Sequence, residues 1–153
     1  MKIDWIEAHV LAAGPIPDSA RDVISLHRQG IRALITLTEK PLTANRDITF
    51  ELIDGLQLAC FHLPVRDFYP PALRQVADMM RLIEQMRAQQ KPVFLHCYAG
   101  IGRTGTMLHA YFLNKGLGLE EAKQRVLATR PDARYGELSD VQRAFLEAFA
   151  SNL

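Results

Sequence analysis

An apolar run, Pro92-Val93-Phe94-Leu95, gives way to His96-Cys97-Tyr98-Ala99-Gly100-Ile101-Gly102-Arg103-Thr104, and a helix-like run continues from Thr104 to Leu113. A strand, a tight glycine-rich loop and a helix in that order leave few folds open. A loop wound around a helix N-terminus points several backbone N–H groups at one spot, and the helix dipole adds partial positive charge there. Such a cradle suits a tetrahedral oxyanion. The amides of Tyr98, Ala99, Gly100, Ile101, Gly102 and Arg103 are its candidate donors. The Arg103 side chain can close it with a two-pronged contact to phosphate oxygens. Cys97, six positions before Arg103, lies at the start of the loop, where the same field favours thiolate over thiol. A thiolate held under a bound phosphate is a nucleophile aimed at phosphorus.

The same residues carry a competing pattern. Gly100, Gly102 and Gly105 spell the G-x-G-x-x-G dinucleotide fingerprint, and an acid, Glu120, stands 20 positions beyond Gly100. That acid should end a second strand, whereas Glu120 opens a helical run over residues 120–130. A cysteine before the loop and an arginine inside it have no part in the fingerprint, and too little chain follows for a two-half nucleotide domain. A buried cysteine beside an ordinary glycine turn is the plainer alternative. It leaves His96, Thr104 and the acid described next without a reason. A Cys–His pair also belongs to cysteine proteases, but neighbours on one strand point to opposite faces, so His96 is badly placed to take the Cys97 proton.

Displacing an alkoxide or phenolate from phosphorus is easier when the leaving oxygen is protonated. That calls for a carboxylic acid on a loop brought in from elsewhere in the chain. Leu63-Pro64-Val65-Arg66-Asp67-Phe68-Tyr69-Pro70-Pro71 follows a strand-like run and precedes a long helix. Asp67 is its natural candidate, and the two prolines stiffen the end of the loop. Alone, Asp67 reads as a turn residue or helix cap. Its pairing with the cysteine motif argues for the acid.

The stretch from His96 to Thr104 resembles the His-Cys-x5-Arg-Ser/Thr signature of the cysteine-based protein tyrosine phosphatases, matching at His96, Cys97, Arg103 and Thr104. The separation of 30 residues between Asp67 and Cys97 is similar to that in the small atypical dual-specificity phosphatases, whose acid loop reads Pro-Asp-Phe-x-Pro-Pro. The chain departs from that pattern at Arg66, where the group has proline. Trp5, residues 11–15 and residues 30–39 echo the N-terminal half of the same group, so the resemblance covers essentially the whole chain. It implies that Cys97 forms a phosphocysteine, that Arg103 holds the phosphate, that Asp67 is the general acid, and that His96 orders the loop. Thr104 can hydrogen-bond the Cys97 sulfur and cap the following helix. A later loop, residues 131–142, is the place from which such enzymes orient the hydrolytic water. Gln142 is the first candidate there, with Glu137 and Asp140 as alternatives, and the loop is a few residues longer than the group's pattern.

The implied activity is hydrolysis of phosphotyrosine, with phosphoserine and phosphothreonine, on a phosphorylated protein or peptide. Phosphoinositide and RNA 5′-phosphatases of the same superfamily are alternatives, as is a phosphoprotein-binding pseudophosphatase. No lysine lies between Cys97 and Arg103 to grip an inositol headgroup, and no basic surround awaits RNA. Pseudophosphatases typically lose the Cys, the Arg or the acid, and all three are present.

Lys and Arg total 18 against 17 Asp and Glu, which gives no argument for a nucleic-acid or membrane partner. No apolar run is long enough to span a bilayer. Two cysteines without a secretory signal point to a reducing, cytoplasmic compartment, and a monomer is expected. His9, His27, His62 and His109 show no metal-ligand spacing, and Cys60 and Cys97, 37 apart, make no zinc pattern, so no metal or other cofactor is expected. Cys60 sits in an apolar run and is expected in the core, with a reversible Cys60–Cys97 disulfide as a second fate.

A chain of 153 residues suits one domain, residues 1–153. Helices are predicted over residues 19–29, 71–90, 104–114, 120–129 and 140–150, the last capped by Ser139. Strands are predicted over 31–38, 58–63 and 92–96, with a loop-rich stretch over 39–55. Val76, Met79, Met80, Ile83 and Met86 share one helix face. Strands alternating with helices predict a single α/β domain, a central, mostly parallel sheet flanked by helices on both faces. The cysteine loop then sits at the carboxyl end of a strand, where ligands bind in such sheets.

Overall fold

The strand that delivers the cysteine lies in the middle of the sheet. The structure, a computed structural model, describes residues 1–153. Strands β1 (Asp4–Glu7), β2 (Leu11–Gly14), β3 (Ala33–Thr36), β4 (Ala59–His62) and β5 (Val93–His96) pair in the order β1-β2-β5-β3-β4. All neighbours are parallel except the β1–β2 hairpin. With partners on both sides, every residue of β5 is buried. Gly14, His96 and Thr36 are in register at the carboxyl edge.

The helices are α1 (Ala20–Arg28), α2 (Phe50–Gly55), α3 (Leu73–Ala88), α4 (Gly102–Asn114), α5 (Leu119–Thr129) and α6 (Asp140–Ser151). Right-handed crossovers decide their sides. The chain steps in one direction through β2, β3 and β4, and α1 and α2 land on one face. It then steps back from β4 to β5, and α3 lands on the other. The alternation along each strand feeds both layers. Ala12, Leu34 and Phe94 meet Val23 and Leu26 of α1 and Ile53 of α2. Ala13, Ile35, Val93 and Leu95 meet α3, α4, α5 and α6. Helix α4 is buried from Arg103 to Leu113, enclosed by the sheet and its neighbouring helices, as its nearly continuous apolar sequence requires.

The α/β architecture with helices on both faces is as expected, and four details differ. Strands β1 and β2, not predicted, form an N-terminal hairpin that extends the mostly parallel sheet. Leu11-Ala12-Ala13-Gly14 has little intrinsic strand preference and is held by backbone pairing to β1 and β5. Helix α2 falls inside the stretch expected to be loop; its six residues are too short to show a period, and Thr49 caps it through Leu52 N. On α3 the buried face takes Leu82, while Met80 is only partly buried. Cys60 is exposed, because β4 is an edge strand whose inward residues are Ala59 and Phe61.

Candidate active site

Cys97 follows β5 directly and is 3% exposed. By the strand's alternation it falls on the α3–α6 side, whereas His96 stacks on Phe94 on the opposite side. His96 is fully buried. Its Nδ1 lies 2.9 Å from the Cys97 carbonyl and its Nε2 2.8 Å from Thr36 Oγ1. A carbonyl only accepts, so Nδ1 carries the proton and the Thr36 hydroxyl donates to Nε2. Burial pushes the imidazole down to about 4, against its bond to the Cys97 carbonyl and aided by the Arg103 charge. A neutral imidazole with both nitrogens engaged orders the loop and has no free lone pair for the Cys97 proton.

The amides of residues 98 to 104 donate to no acceptor in the protein. Two buried side-chain donors of the same loop, Arg103 Nε and Thr104 Oγ1, are also without a partner. Leaving such groups unpaired costs about 1–3 kcal/mol each, and an anion in the loop would satisfy them together. The expected bond from Thr104 to the Cys97 sulfur is not made, and Thr104 is not the cap of α4. That helix begins two residues earlier, at Gly102, with Ile101 before it.

The outer wall of the loop explains its glycines. Gly100 has φ +72, and a Cβ there would stand 2.3 Å from the Gly14 carbonyl oxygen. A Cβ on Gly105 would stand 2.6 Å from the Ala133 carbonyl oxygen. Glu120 lies inside α5, not at the end of a second strand as the dinucleotide pattern requires. Arg130, 4% exposed, donates through Nε to Gly100 O at 2.8 Å and through Nη2 to Ala99 O at 3.4 Å. Its Nη1 pairs with Asp4 at 2.8 Å. Arg130 thereby holds two loop carbonyls on the outside.

Arg103, 4% exposed, donates through Nη1 to Glu39 Oε1 at 2.6 Å and to Val65 O at 3.0 Å. Its Nη2 lies 3.5 Å from Asp67 Oδ1. Glu39 Oε2 accepts from Asp67 N at 3.2 Å. The structure thus brings Arg103, Asp67 and Glu39 together at the end of the loop that Cys97 opens. Hydrogen bonds from its own amide and from that of Asp67, with the Arg103 guanidinium behind them, hold Glu39 below the usual carboxylate range despite some desolvation. A cleft of about 550 Å³ opens over these residues, walled by Ile16, Lys40, Leu42 and Tyr98.

The acid loop is a turn. Tyr69 N donates to Arg66 O at 3.0 Å, and Phe68, third in the turn, has φ +68. For a side chain other than glycine that conformation costs about 1–2 kcal/mol. It leaves the Phe68 ring exposed. Arg66, where the resemblance has proline, stacks its guanidinium 4.2 Å above the Tyr69 ring.

Of the three residues considered in the later loop, only Gln142 reaches the site. It is 1% exposed, and a Cβ on Gly102 would lie 3.2 Å from its Oε1. Both ends of its amide are engaged, Oε1 by Ser139 N at 2.9 Å and Nε2 by Tyr69 O at 3.3 Å. Glu137 pairs with Arg134 and Asp140 with Arg143. The extra length of this loop is taken up by two 3₁₀ turns, Pro131–Ala133 and Tyr135–Glu137. Glu39, Arg130 and Asp4 were not among the residues expected from sequence. For Glu39 a signal existed, its place just beyond the carboxyl end of β3; Arg130 and Asp4 carried none.

A cysteine-and-glycine loop at the carboxyl end of a central parallel strand, with an arginine and a carboxylate beside it, is the arrangement of the cysteine-based phosphatases of the tyrosine and dual-specificity type. The family model described as "Polymorphic toxin system, DSP-PTPase phosphatase" matches residues 14–117, and the chain belongs to that family. The match includes Glu39, Asp67, Cys97 and Arg103 and leaves out Asp4, Arg130, Ser139 and Gln142.

Human dual specificity protein phosphatase 15 is 29% identical over 116 residues, 74% of this chain and 36% of that protein. The Arabidopsis thaliana phosphatidylglycerophosphate phosphatase PTPMT2 is 26% identical over 149 residues, 96% of this chain and 62% of its own length. This chain therefore spans less than two thirds of either relative. Among solved structures, Tk-PTP in the active form superposes with a TM-score of 0.83 at 25% identity, covering 99% of this chain and 97% of the other. PTPMT1 superposes at 0.81 with 21% identity, covering 99% and 95%, a likeness of fold. The resemblance drawn from residues 96–104 holds at the level of family and fold.

Proposed function

We propose that the protein hydrolyses phosphate monoesters through a phosphocysteine on Cys97. The observation that carries this reading is the run of unpartnered donors, the amides of 98 to 104 with Arg103 Nε and Thr104 Oγ1, in the loop that Cys97 opens. They hold the three non-bridging phosphate oxygens. The Cys97 sulfur attacks phosphorus, the bond to the ester oxygen breaks, and Asp67 gives that oxygen its proton. Water then attacks the phosphocysteine and passes a proton to Asp67, releasing phosphate and the thiolate. Cys97 must stay reduced, so a reducing compartment goes with the reading.

For the substrate we favour phosphotyrosine on a protein or peptide. The cleft beside Arg103 has apolar and aromatic walls in Ile16, Leu42 and Tyr98, suited to a ring. A lipid phosphate monoester is the second reading. It is supported by Lys40 on the same cleft, a cation outside the cysteine loop, and by the likeness to a phosphatidylglycerophosphate phosphatase. The test is turnover of para-nitrophenyl phosphate by reduced wild type beside Cys97→Ser, followed by phosphotyrosine peptides and phosphatidylglycerophosphate. Turnover lost only in the variant is expected. A folded, reduced wild type without turnover would end the enzyme reading.

A further inference from the structure

Six hydrogen bonds fix residues 64–69 from outside, and two helix caps supply three of them. At the start of α6, Ser139 Oγ accepts from Gln142 N at 3.2 Å while Gln142 Oε1 accepts from Ser139 N at 2.9 Å, a reciprocal capping box. Ser139 still has its O–H and Gln142 its NH2 group, and each donates to the acid loop. Ser139 Oγ donates to Phe68 O at 2.7 Å, and Gln142 Nε2 donates to Tyr69 O at 3.3 Å. The start of α3 repeats the device. Gln75 Oε1 accepts from Ala72 N at 2.9 Å, and its Nε2 donates to Pro64 O at 2.7 Å. The remaining three bonds are Arg103 to Val65 O, Val65 N to Leu37 O and Asp67 N to Glu39.

We propose that the caps of α3 and α6, through Gln75, Ser139 and Gln142, are a latch that positions Asp67 for proton donation. The turn they hold contains Phe68 at φ +68, a conformation that a phenylalanine leaves when nothing retains it. Asp67 is the residue before it, and its Oδ1 takes the Phe68 amide at 3.0 Å. Relaxation of Phe68 therefore carries the carboxyl away from Arg103 and from the leaving oxygen. Ser139, Gln142 and Gln75 touch no reacting atom; they are positioning residues. The inference rests on Asp67 being the acid.

The latch makes a prediction that a stability role does not. Its loss should matter in proportion to how much the leaving group needs a proton. The experiment measures kcat/KM for phenyl phosphate, a poor leaving group, and para-nitrophenyl phosphate, a good one, in wild type, Asp67→Ala, Ser139→Ala, Ser139→Thr and Gln75→Glu. Gln75→Glu keeps the acceptor that caps α3 and replaces the donor to Pro64 O by an acceptor, which breaks that bond while the exposed, capped helix start is kept, so it should leave the fold intact if Ser139→Ala does not. Ser139→Ala and Gln75→Glu should each lose about fivefold to tenfold on phenyl phosphate, the worth of one hydrogen bond, and less than about twofold on the nitrophenyl ester. Ser139→Thr keeps the hydroxyl and should recover most of the loss. If Asp67→Ala shows the leaving-group dependence and the latch variants lose both substrates equally, or neither, the latch is wrong and the acid stands. If Asp67→Ala itself loses both equally, the acid assignment falls and takes the latch with it.

Discussion

Glu39 Oε1 accepts from Arg103 Nη1 at 2.6 Å while its Oε2 accepts the amide of Asp67 at 3.2 Å. One carboxylate so ties Arg103 to the loop that carries Asp67. Glu39 titrates below its ordinary value, so its contribution to stability is complete above pH 4.5 and is lost only as pH falls through the lower folded value. The bridge is intact throughout the neutral range. Replacing Glu39 with alanine frees both partners and also removes a negative charge from the cleft. We expect kcat to fall about tenfold, the scale of a charge-assisted hydrogen bond, with inorganic phosphate binding no more weakly than to wild type. Steady-state kinetics with phosphate as product inhibitor reads both. Weaker phosphate binding at unchanged kcat would mean that Glu39 orients Arg103 alone.

Arg130 and Asp4 make the second prediction. Arg130 links the end of α5 and strand β1 to the carbonyls of Ala99 and Gly100. Arg130→Met strands a partly buried carboxylate and a buried carbonyl and should cost about 3 kcal/mol. It should also weaken vanadate inhibition about tenfold as the loop carbonyls lose their donors. Asp4→Asn keeps a neutral acceptor for Nη1 and should cost about 1 kcal/mol with little change in inhibition. Urea denaturation and vanadate titration on the same preparations decide it. A stability loss with unchanged inhibition would make Arg130 a brace of the fold only.

These two clusters also mark where the sequence stopped being informative. Cys97, Arg103 and the cradle amides lie on one loop, so their geometry follows from local structure and is written in consecutive residues. Asp67, singled out because proton donation demands an acid and few loops could offer one, lies 3.5 Å from Arg103 Nη2. Glu39 meets Arg103 across 64 residues, and Asp4 meets Arg130 across 126. Such pairings depend on strand order, which residue spacing does not encode. Gln142, the first candidate of the later loop, has both ends of its amide engaged, by Ser139 N and Tyr69 O. Ser139 as the cap of α6 was legible; the reciprocal bond of Gln142, and the donors that reach Phe68 and Tyr69, were not. Strand β2 and helix α2 escaped for a related reason, since each is too short or too small-residued to show a period and forms on a template supplied by the rest of the fold.

His96 provides a pH test. Burial holds it at about 4 in the folded protein against 6.5 when free. Above 6.5 both states are neutral and the group contributes no pH dependence. As pH falls below 6.5 the unfolded chain takes up the proton first, so the native state loses stability until it too protonates near 4. Between pH 7.5 and 5 this amounts to about 2 kcal/mol. Urea midpoints across that range should show the loss in wild type and a shallower slope in His96→Gln. Equal slopes would mean that the loss arises at other groups, of which His109, also held below its ordinary value mainly by burial, is the first to examine.

Cys60 is not a protecting partner for Cys97. Strand register pairs Cys60 with Leu34 and Leu34 with Phe94. Cys60 is therefore two strand spacings from β5 and level with a residue three positions before Cys97, a separation of about 14 Å at ordinary sheet dimensions. A disulfide needs Cα atoms within about 7 Å. Desolvation, with the Asp54 carboxylate behind it, also pushes the Cys60 thiol up to about 11, so at neutral pH it is a poor attacking group even though its residue lies at an exposed edge. Peroxide should convert Cys97 to its sulfenic acid and beyond with no resolving thiol in reach. Cys60→Ser should accordingly leave the rate of peroxide inactivation, and the fraction recovered with dithiothreitol, within about twofold of wild type, since the resolving chemistry it removes was never accessible. A recoverable fraction that vanishes in Cys60→Ser, or a Cys60–Cys97 linked peptide in the mass spectrum of oxidised wild type, would require β4 to leave the sheet edge and would overturn the register argument.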